Sequence, residues 1–158
     1  MIAVGQPLPP IEFTRLSADG METLDNRYFA GRTVVLFAVP GAFTPTCSEA
    51  HLPGYVVLAD KLKAAGADAI ACVAVNDAFV MKAWGDSQNA DAIDMLADGD
   101  GSAHKAMGLS METGAFGGTR AQRYAMIVKD NVVTVLNVEA PKAFEVSDAE
   151  TLLKALNP

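Results

Sequence analysis

One of the two cysteines of this chain stands in a setting that favours nucleophilic chemistry. Cys47 follows a buried-strand pattern at residues 33–39 and precedes a stretch typical of a helix. It should therefore lie in the first turn of that helix, among backbone N–H groups without intrahelical partners and at the positive end of the helix dipole. Such surroundings favour the thiolate, which is the nucleophilic form of cysteine. We therefore predict that Cys47 is a nucleophile rather than a packing residue.

Two alternative helix starts fit the residues around this cysteine. Thr44 can be the N-cap with Pro45 in the first helical position. Alternatively, Thr46 and Glu49 can form a capping box. Both alternatives leave Cys47 in the first turn, so the predicted thiolate does not depend on the choice between them.

The two histidines are weaker candidates for a catalytic role than the cysteine. His51 follows Cys47 by four residues and can share its helix face, where an imidazolium would favour the thiolate. We favour instead a packing or hydrogen-bonding role for His51, next to the Pro53-Gly54 pair where the helix should kink or start loosely. His104 lies in a polar helix and is expected to face solvent. A cysteine hydrolase would need a general base, and neither histidine has a recognisable orienting partner.

Composition excludes several classes of function. The chain has 158 residues, of which 51% are hydrophobic and 20% charged, so we predict one globular domain over residues 1–158. A net charge of −7 with scattered basic residues argues against nucleic acid as a partner. No apolar run approaches the roughly 18 residues of a membrane helix, and the N-terminus has no signal-peptide pattern. We expect a cytoplasmic protein with no membrane partner.

Strand and helix patterns alternate along the chain. We predict a β-hairpin that starts at Ile11 and turns at Asp19-Gly20, strands at 33–39, 68–75 and 92–97, and a second hairpin of 123–129 with 132–138. Helices are predicted after Cys47, after Asp77, at 103–107 and at 149–156, the last opened by a capping box at 147–150. An irregular glycine-rich loop is predicted at 108–119. Strands that alternate with helices predict an α/β fold with a mixed central sheet flanked by helices and an N-terminal β-hairpin.

The segment PGAFTPTCSEAHLPGY, residues 40–55, resembles the active-site signature of the peroxiredoxins, Pro-x-x-x-Thr-x-x-Cys. The particular residues of this segment are similar to those of the type II or peroxiredoxin-5-like branch. The resemblance continues through residues 70–84 and 120–139 and covers nearly the whole chain in order. It implies a thioredoxin-like fold and a homodimer. Phe43 and Phe116 can fill the core or, as in the dimers of the family, form the apolar rim of the active site.

The same resemblance implies a thiol-dependent peroxidase that reduces hydrogen peroxide and alkyl hydroperoxides through a Cys47 sulfenic acid, without metal or organic cofactor. Cys47, Thr44, Pro40 and Arg123 would be its catalytic residues. The Thr44 hydroxyl would contact the sulfur and the peroxide, and the Pro40 ring would shield the thiolate. The family pattern, not local reasoning, selects Arg123 as a permanent cation beside the sulfur. Arg120 resembles a second, supporting arginine.

The second cysteine, Cys72, leaves the regeneration step open. It lies in an apolar strand pattern, so we predict a structural role, with a disulfide to Cys47 as the alternative. No cysteine follows Cys72, so an external thiol would reduce the sulfenic acid, and we favour glutathione with glutaredoxin over thioredoxin. Two further alternatives are a two-cysteine peroxidase resolved by Cys72 and a peroxide-sensing redox relay that acts through a partner protein.

Overall fold

A mixed seven-stranded sheet forms the centre of the molecule in the computed structural model, which describes residues 1–157. The strands along the chain are β1 (Phe13–Ser17), β2 (Gly20–Leu24), β3 (Thr33–Ala38), β4 (Ala69–Ala74), β5 (Asp94–Ala97), β6 (Ser110–Glu112), β7 (Thr119–Ala121), β8 (Tyr124–Lys129) and β9 (Val132–Val138). The sheet order is β2-β1-β5-β4-β3-β8-β9, and β6 pairs with β7 separately. Strand β4 runs parallel to β3 and β5, while β8 is antiparallel to β3.

Helices cover both faces of this sheet. They are α1 (Leu52–Ala64), α2 (Ala78–Ser87), α3 (Ser102–Met107) and α4 (Ala149–Leu156). Alternate residues of β3 point to opposite faces, so that Val35 and Phe37 join the core under α1, α2 and α4. Val34 and Leu36 join the other core, which includes residues of α3. Because both faces are covered, β3 and β4 are apolar throughout, which explains their unbroken hydrophobic patterns.

The predicted strands and helices are confirmed with bounds that differ by a few residues, but the loop predicted at 108–119 is wrong. This segment contains β6 and the start of β7, which pair in an antiparallel hairpin. A 3₁₀ turn at Gly114–Phe116 connects the two strands. Gly114 and Gly118 have φ values of 61° and 66°, a backbone region that glycine adopts without steric cost. The glycines that suggested irregularity therefore close a tight hairpin.

The capping box predicted at residues 147–150 is also wrong. Asp148 is the N-cap of α4, and its side chain accepts a hydrogen bond from the backbone N–H of Thr151. The hydroxyl of Ser147 is already used, because it donates to the carboxylate of Glu139. A partner eight residues earlier in the chain has therefore displaced the capping box.

The helix that carries Cys47 starts with an irregular turn. Cys47–His51 form a single π turn, closed by the N–H of Leu52 donating to the carbonyl of Cys47, and α1 follows directly. Pro53 has no N–H to donate to the preceding turn, so the regular hydrogen-bond ladder is interrupted there. The loose start expected near Pro53 is thus confirmed. Of the two alternative helix starts, the capping box of Thr46 and Glu49 is wrong, because Thr46 is already helical and its side chain makes no capping bond. Helical backbone begins at Pro45, as the other alternative predicts.

Candidate active site

Cys47 is fully buried at the carboxyl ends of the two central parallel strands. The chain leaves β3 at Ala38 and reaches Cys47 through a loop whose Ala42 N–H donates to the side chain of Asn76, just beyond β4. Further along this loop, the Thr44 carbonyl accepts from the N–H of Ser48. These bonds seat the first turn of the helix against the sheet, with the Cys47 side chain in the core on the α1 face.

Sheet pairing brings Arg123 to this cysteine across 76 positions of sequence. Tyr124 opens β8 and pairs with Ala38, the last residue of β3, so the residue before Tyr124 lies where the Cys47 loop begins. The guanidinium group of Arg123 donates through Nη2 to Cys47 Sγ at 3.0 Å and through Nη1 to His51 Nδ1 at 2.8 Å. A fixed cation that donates a hydrogen bond thus faces the sulfur.

His51 holds the other branch of the Arg123 guanidinium. Its Nε2 lies 3.0 Å from the carbonyl oxygen of Ser147, which can only accept, so Nε2 carries the proton and Nδ1 is free to accept from Arg123. Burial, together with the charge of Arg123, lowers the pKa of His51 to about 3. The ring is therefore neutral at physiological pH. The hydrogen-bonding role favoured from the sequence is confirmed, and an imidazolium beside the sulfur is not.

Thr44 makes a different hydrogen bond from the one that the sequence suggests, and Pro40 lines a cavity. The hydroxyl of Thr44 donates to the Gly41 carbonyl at 2.7 Å, and within residues 1–157 it makes no hydrogen bond to the sulfur. The predicted contact is wrong because the turn carbonyl takes the only hydroxyl proton, which leaves the oxygen free to accept. Pro40 lines a cavity of about 490 Å³ together with Arg123 and Met111. This cavity reaches Arg123, the hydrogen-bond partner of Cys47 Sγ, and is large enough for a small substrate.

Arg120 makes no hydrogen bond to the cysteine. Its Nε donates to the Gly117 carbonyl at 3.0 Å and its Nη1 to the Val75 carbonyl at 2.9 Å. It thereby joins the β6–β7 hairpin to the end of β4. Arg120 therefore supports the loops that surround the active site.

His104 is buried, so the solvent-facing position predicted for it is wrong. Its Nδ1 lies 2.7 Å from the carboxylate of Asp98, and its Nε2 lies 2.8 Å from the hydroxyl of Tyr124. The same carboxylate accepts from the backbone N–H groups of Ala103 and His104, which draws the start of α3 inward. His104 therefore has an orienting carboxylate, but Tyr124 belongs to the core on the opposite face of the sheet from Cys47.

Cys72 lies on β4 within the same core as Cys47 and is also a free, fully buried thiol. Burial and, second, the neighbouring Cys47 raise the pKa of Cys72 well above its ordinary value. It is therefore a thiol at neutral pH, which fits the predicted packing role. Among residues 1–157 no three or more His, Cys, Asp or Glu side chains are grouped to hold a metal ion. Nor is any helix in that range long and apolar enough to cross a bilayer.

Three residues near the site escaped sequence reasoning. Glu139 and Ser147 support His51 through the segment after β9, and Trp84 donates from Nε1 to the Ser48 hydroxyl beside Cys47 at 3.0 Å. A carboxylate directly after an apolar strand was the one available signal for Glu139. The contacts of Ser147 with His51 and of Trp84 with Ser48 join distant segments, so no local pattern indicates them.

Comparison with known proteins agrees with this site. The model of the Redoxin family matches residues 3–153, so the chain belongs to the redoxin family. Peroxiredoxin-2E-2, chloroplastic, of Oryza sativa subsp. japonica is 49% identical, with 98% of this chain and 72% of the relative covered. Peroxiredoxin-2C of the same plant is 45% identical, with 98% of both chains covered.

Solved structures agree as well. Reduced Prx3 from Vibrio vulnificus in complex with H₂O₂ shares 66% identity at a TM-score of 0.98, with 99% of both chains covered. Peroxiredoxin 5 from Alvinella pompejana shares 33% identity at a TM-score of 0.87, again with 99% of both covered. These relatives place the chain among the peroxiredoxins, in the type II or peroxiredoxin-5-like group. The predicted thioredoxin-like fold is confirmed, and the activity is that of a thiol-dependent peroxidase.

Proposed function

We propose that Cys47 is the peroxidatic nucleophile of this peroxidase. Its thiolate attacks one oxygen of the peroxide in line, so that the S–O bond forms while the O–O bond breaks. The sulfur is oxidised to a sulfenic acid, and the departing oxygen leaves as hydroxide or alkoxide and takes up a proton to give water or an alcohol. The observation that carries this proposal is the 3.0 Å contact between Arg123 Nη2 and Cys47 Sγ.

Arg123, Thr44 and Pro40 would complete the catalytic set. Nη2 of Arg123 has a second hydrogen beyond the one aimed at sulfur, and that donor can stabilise charge on the departing oxygen. The Thr44 oxygen can accept the peroxide O–H because its own proton is donated to Gly41. Pro40 supplies a wall without an N–H, so it does not compete for the peroxide.

Hydrogen peroxide and alkyl hydroperoxides are the proposed substrates. The Vibrio vulnificus relative was crystallised with H₂O₂, which supports the smaller substrate. The cavity of about 490 Å³ supports the larger ones, because Pro40, Met111 and Pro141 give it an apolar wall. A hydrocarbon group on the peroxide can pack against this wall.

An external thiol, glutathione with glutaredoxin in preference to thioredoxin, is the proposed reductant. The chain has no cysteine beyond Cys47 and Cys72. Cys72 is a poor internal nucleophile because its raised pKa keeps it protonated and β4 keeps it in the core. For Cys72 to resolve the sulfenic acid, its sulfur would have to attack Cys47 Sγ and displace water to form a Cys47–Cys72 disulfide, which would require the buried start of the helix to move.

Peroxide consumption in the presence of each reducing system tests these assignments. The wild type and Cys72→Ser should both turn over with glutathione and glutaredoxin, whereas Cys47→Ser should be inactive. Loss of turnover in Cys72→Ser, with a Cys47–Cys72 disulfide seen by mass spectrometry, would make the protein a two-cysteine peroxidase. Oxidation of Cys47 without turnover under every reductant would favour the redox relay.

A homodimer through the apolar rim near Cys47 is the proposed assembly. Phe43 and Phe116 are 57% and 82% exposed, so neither fills the core, and exposed aromatic side chains favour a protein interface. Sedimentation should show a dimer for the wild type and a shift toward monomer for Phe116→Glu. Val57→Glu is the matched control, since Val57 on α1 is 79% exposed and outside the proposed interface. An equal shift in both variants would contradict the proposed face.

A further inference from the structure

A single buried carboxylate anchors the segment that follows β9. Glu139 is only 8% exposed, and we call residues 139–147 the strap. Its side chain accepts from the N–H groups of Glu145, Val146 and Ser147 at 2.8–2.9 Å and from the Ser147 hydroxyl at 2.6 Å. Burial alone would raise the pKa of Glu139, but these hydrogen bonds outweigh it and lower the pKa below its ordinary value. The carboxylate is therefore charged when the strap is in place.

The anchored end of the strap presents one carbonyl oxygen to the helix that carries Cys47. The Ser147 carbonyl accepts from His51 Nε2 at 3.0 Å and from the Tyr55 hydroxyl at 2.7 Å. Since a carbonyl cannot donate, this contact holds the proton of His51 on Nε2 and leaves Nδ1 as an acceptor for Arg123. With the proton on Nδ1 instead, two donors would face each other and the guanidinium would have to move.

The strap also contacts Arg123 through its own residues. The backbone N–H of Glu139 donates to the Arg123 carbonyl at 3.0 Å. The ring of Phe144 packs on His51 at a centroid distance of 4.9 Å, and the Arg123 guanidinium lies 5.9 Å from the centre of that ring. Arg123 is thus fixed by its main chain, by its hydrogen-bond partner and by an aromatic face, all of which depend on the strap.

We propose that Glu139 is a positioning residue for peroxide reduction: by anchoring the strap it sets the His51 tautomer and holds the Arg123 guanidinium against Cys47 Sγ. Within residues 1–157 no ion pair joins Glu139 to either arginine near the site. The effect is therefore transmitted by the Ser147 carbonyl and not by direct charge pairing. This inference rests on Cys47 being the peroxidatic cysteine and is independent of the reductant.

Variants of the anchor test the proposal by the rate at which peroxide oxidises Cys47. Stopped-flow fluorescence of Trp84, the one tryptophan of the chain, can follow this step because Trp84 bonds to Ser48 beside the cysteine. Glu139→Ala should lower the second-order rate constant about 10- to 100-fold, the range that a small displacement of a catalytic group costs. Glu139→Gln should recover part of the rate, because its amide oxygen can accept several of the same bonds.

A control and a tautomer measurement separate positioning from general stability. Glu145→Ala removes an exposed carboxylate from the same strap and should leave the rate unchanged. Nitrogen NMR of His51 should show one Nε2–H tautomer in the wild type and a mixture in Glu139→Ala, which a purely stabilising role would not produce.

The proposal is overturned if Glu139→Ala folds normally and keeps both the wild-type rate and the single tautomer. Should Glu139→Ala fail to fold, Glu139→Gln and Ser147→Ala decide the question, since each removes only part of the anchor. Wild-type rates in both would equally overturn it. If Cys47 is not the peroxidatic cysteine, the wild type itself will show no fast peroxide step, so that failure is distinguishable.

Discussion

Mild acid should destabilise this protein through His51. The ring is buried and neutral with a pKa of about 3, compared with 6.5 for the ordinary side chain. Between these two values the unfolded chain binds a proton that the folded chain does not. The free energy of unfolding should therefore be constant with respect to His51 above pH 6.5 and fall as the pH drops below it.

The size of the effect follows from the difference between the two pKa values. Each pH unit below 6.5 costs at most about 1.4 kcal/mol, so His51 alone should remove about 2 kcal/mol by pH 5. Its limit near pH 3 is about 5 kcal/mol, which is comparable with the whole stability of many domains. Glu139 acts in a lower window: its pKa is reduced from 4.5, so its stabilising contribution is complete above that value and is lost only as the pH falls further.

Urea unfolding at a series of pH values between 7.5 and 5 measures this contribution, with Trp84 fluorescence as the probe. The matched protein is His51→Gln, whose amide can still donate and accept but does not titrate. The wild type should lose stability below pH 6.5 relative to this variant, by about 2 kcal/mol at pH 5. His104 is present in both proteins, so its contribution cancels in the difference.

Parallel curves for the two proteins would refute the reasoning. They would mean that His51 is not held neutral by burial and by Arg123, and the acceptor role assigned to Nδ1 would be lost with it. A steeper fall in the variant would have the same meaning.

Three further changes probe the site itself. Cys47→Ser should abolish peroxide reduction while leaving the circular dichroism spectrum unchanged, and residual turnover would remove the assigned nucleophile. Arg123→Ala should slow peroxide oxidation of Cys47 by about 10²–10³-fold in stopped flow, as expected for loss of one transition-state donor; a wild-type rate would show that this arginine is not catalytic. Thr44→Val keeps the side-chain shape but removes the hydroxyl, so it should lower kcat/KM for hydrogen peroxide. Loss of the hydrogen bond to the Gly41 carbonyl should also cost about 1 kcal/mol of stability in thermal unfolding.

The central strands and the last hairpin could be predicted because their signals are local. β3 and β4 are continuous apolar runs, and the turn between β8 and β9 is marked by Asp130-Asn131. The β6–β7 hairpin was missed because its strands have only three residues each, too few to show an alternating pattern. The capping box was predicted wrongly because a residue outside the helix, Glu139, binds the hydroxyl of Ser147 that the box would have used.

Some residues of the site could be predicted from the sequence and others could not. Cys47 could be found from its neighbours because the start of a helix is itself a chemical environment. Arg123 could be found only through family resemblance, since its contact with the sulfur arises from the pairing of Ala38 with Tyr124. The bond between His51 and the strap uses the backbone carbonyl of Ser147, which every residue possesses. Because this contact does not depend on the type of side chain at position 147, no sequence pattern could reveal it.

The π turn at Cys47–His51 places different demands on the two partners of a peroxidase cycle. Cys47 is fully buried beneath this turn, so a protein reductant such as the proposed glutaredoxin could touch the sulfur only after the turn had unwound. Pro53, directly after the turn, has no N–H to donate, so fewer backbone hydrogen bonds would have to break in such an opening. With a protein reductant and saturating peroxide, the turnover number would then report how often this turn opens, and not how fast the O–O bond breaks.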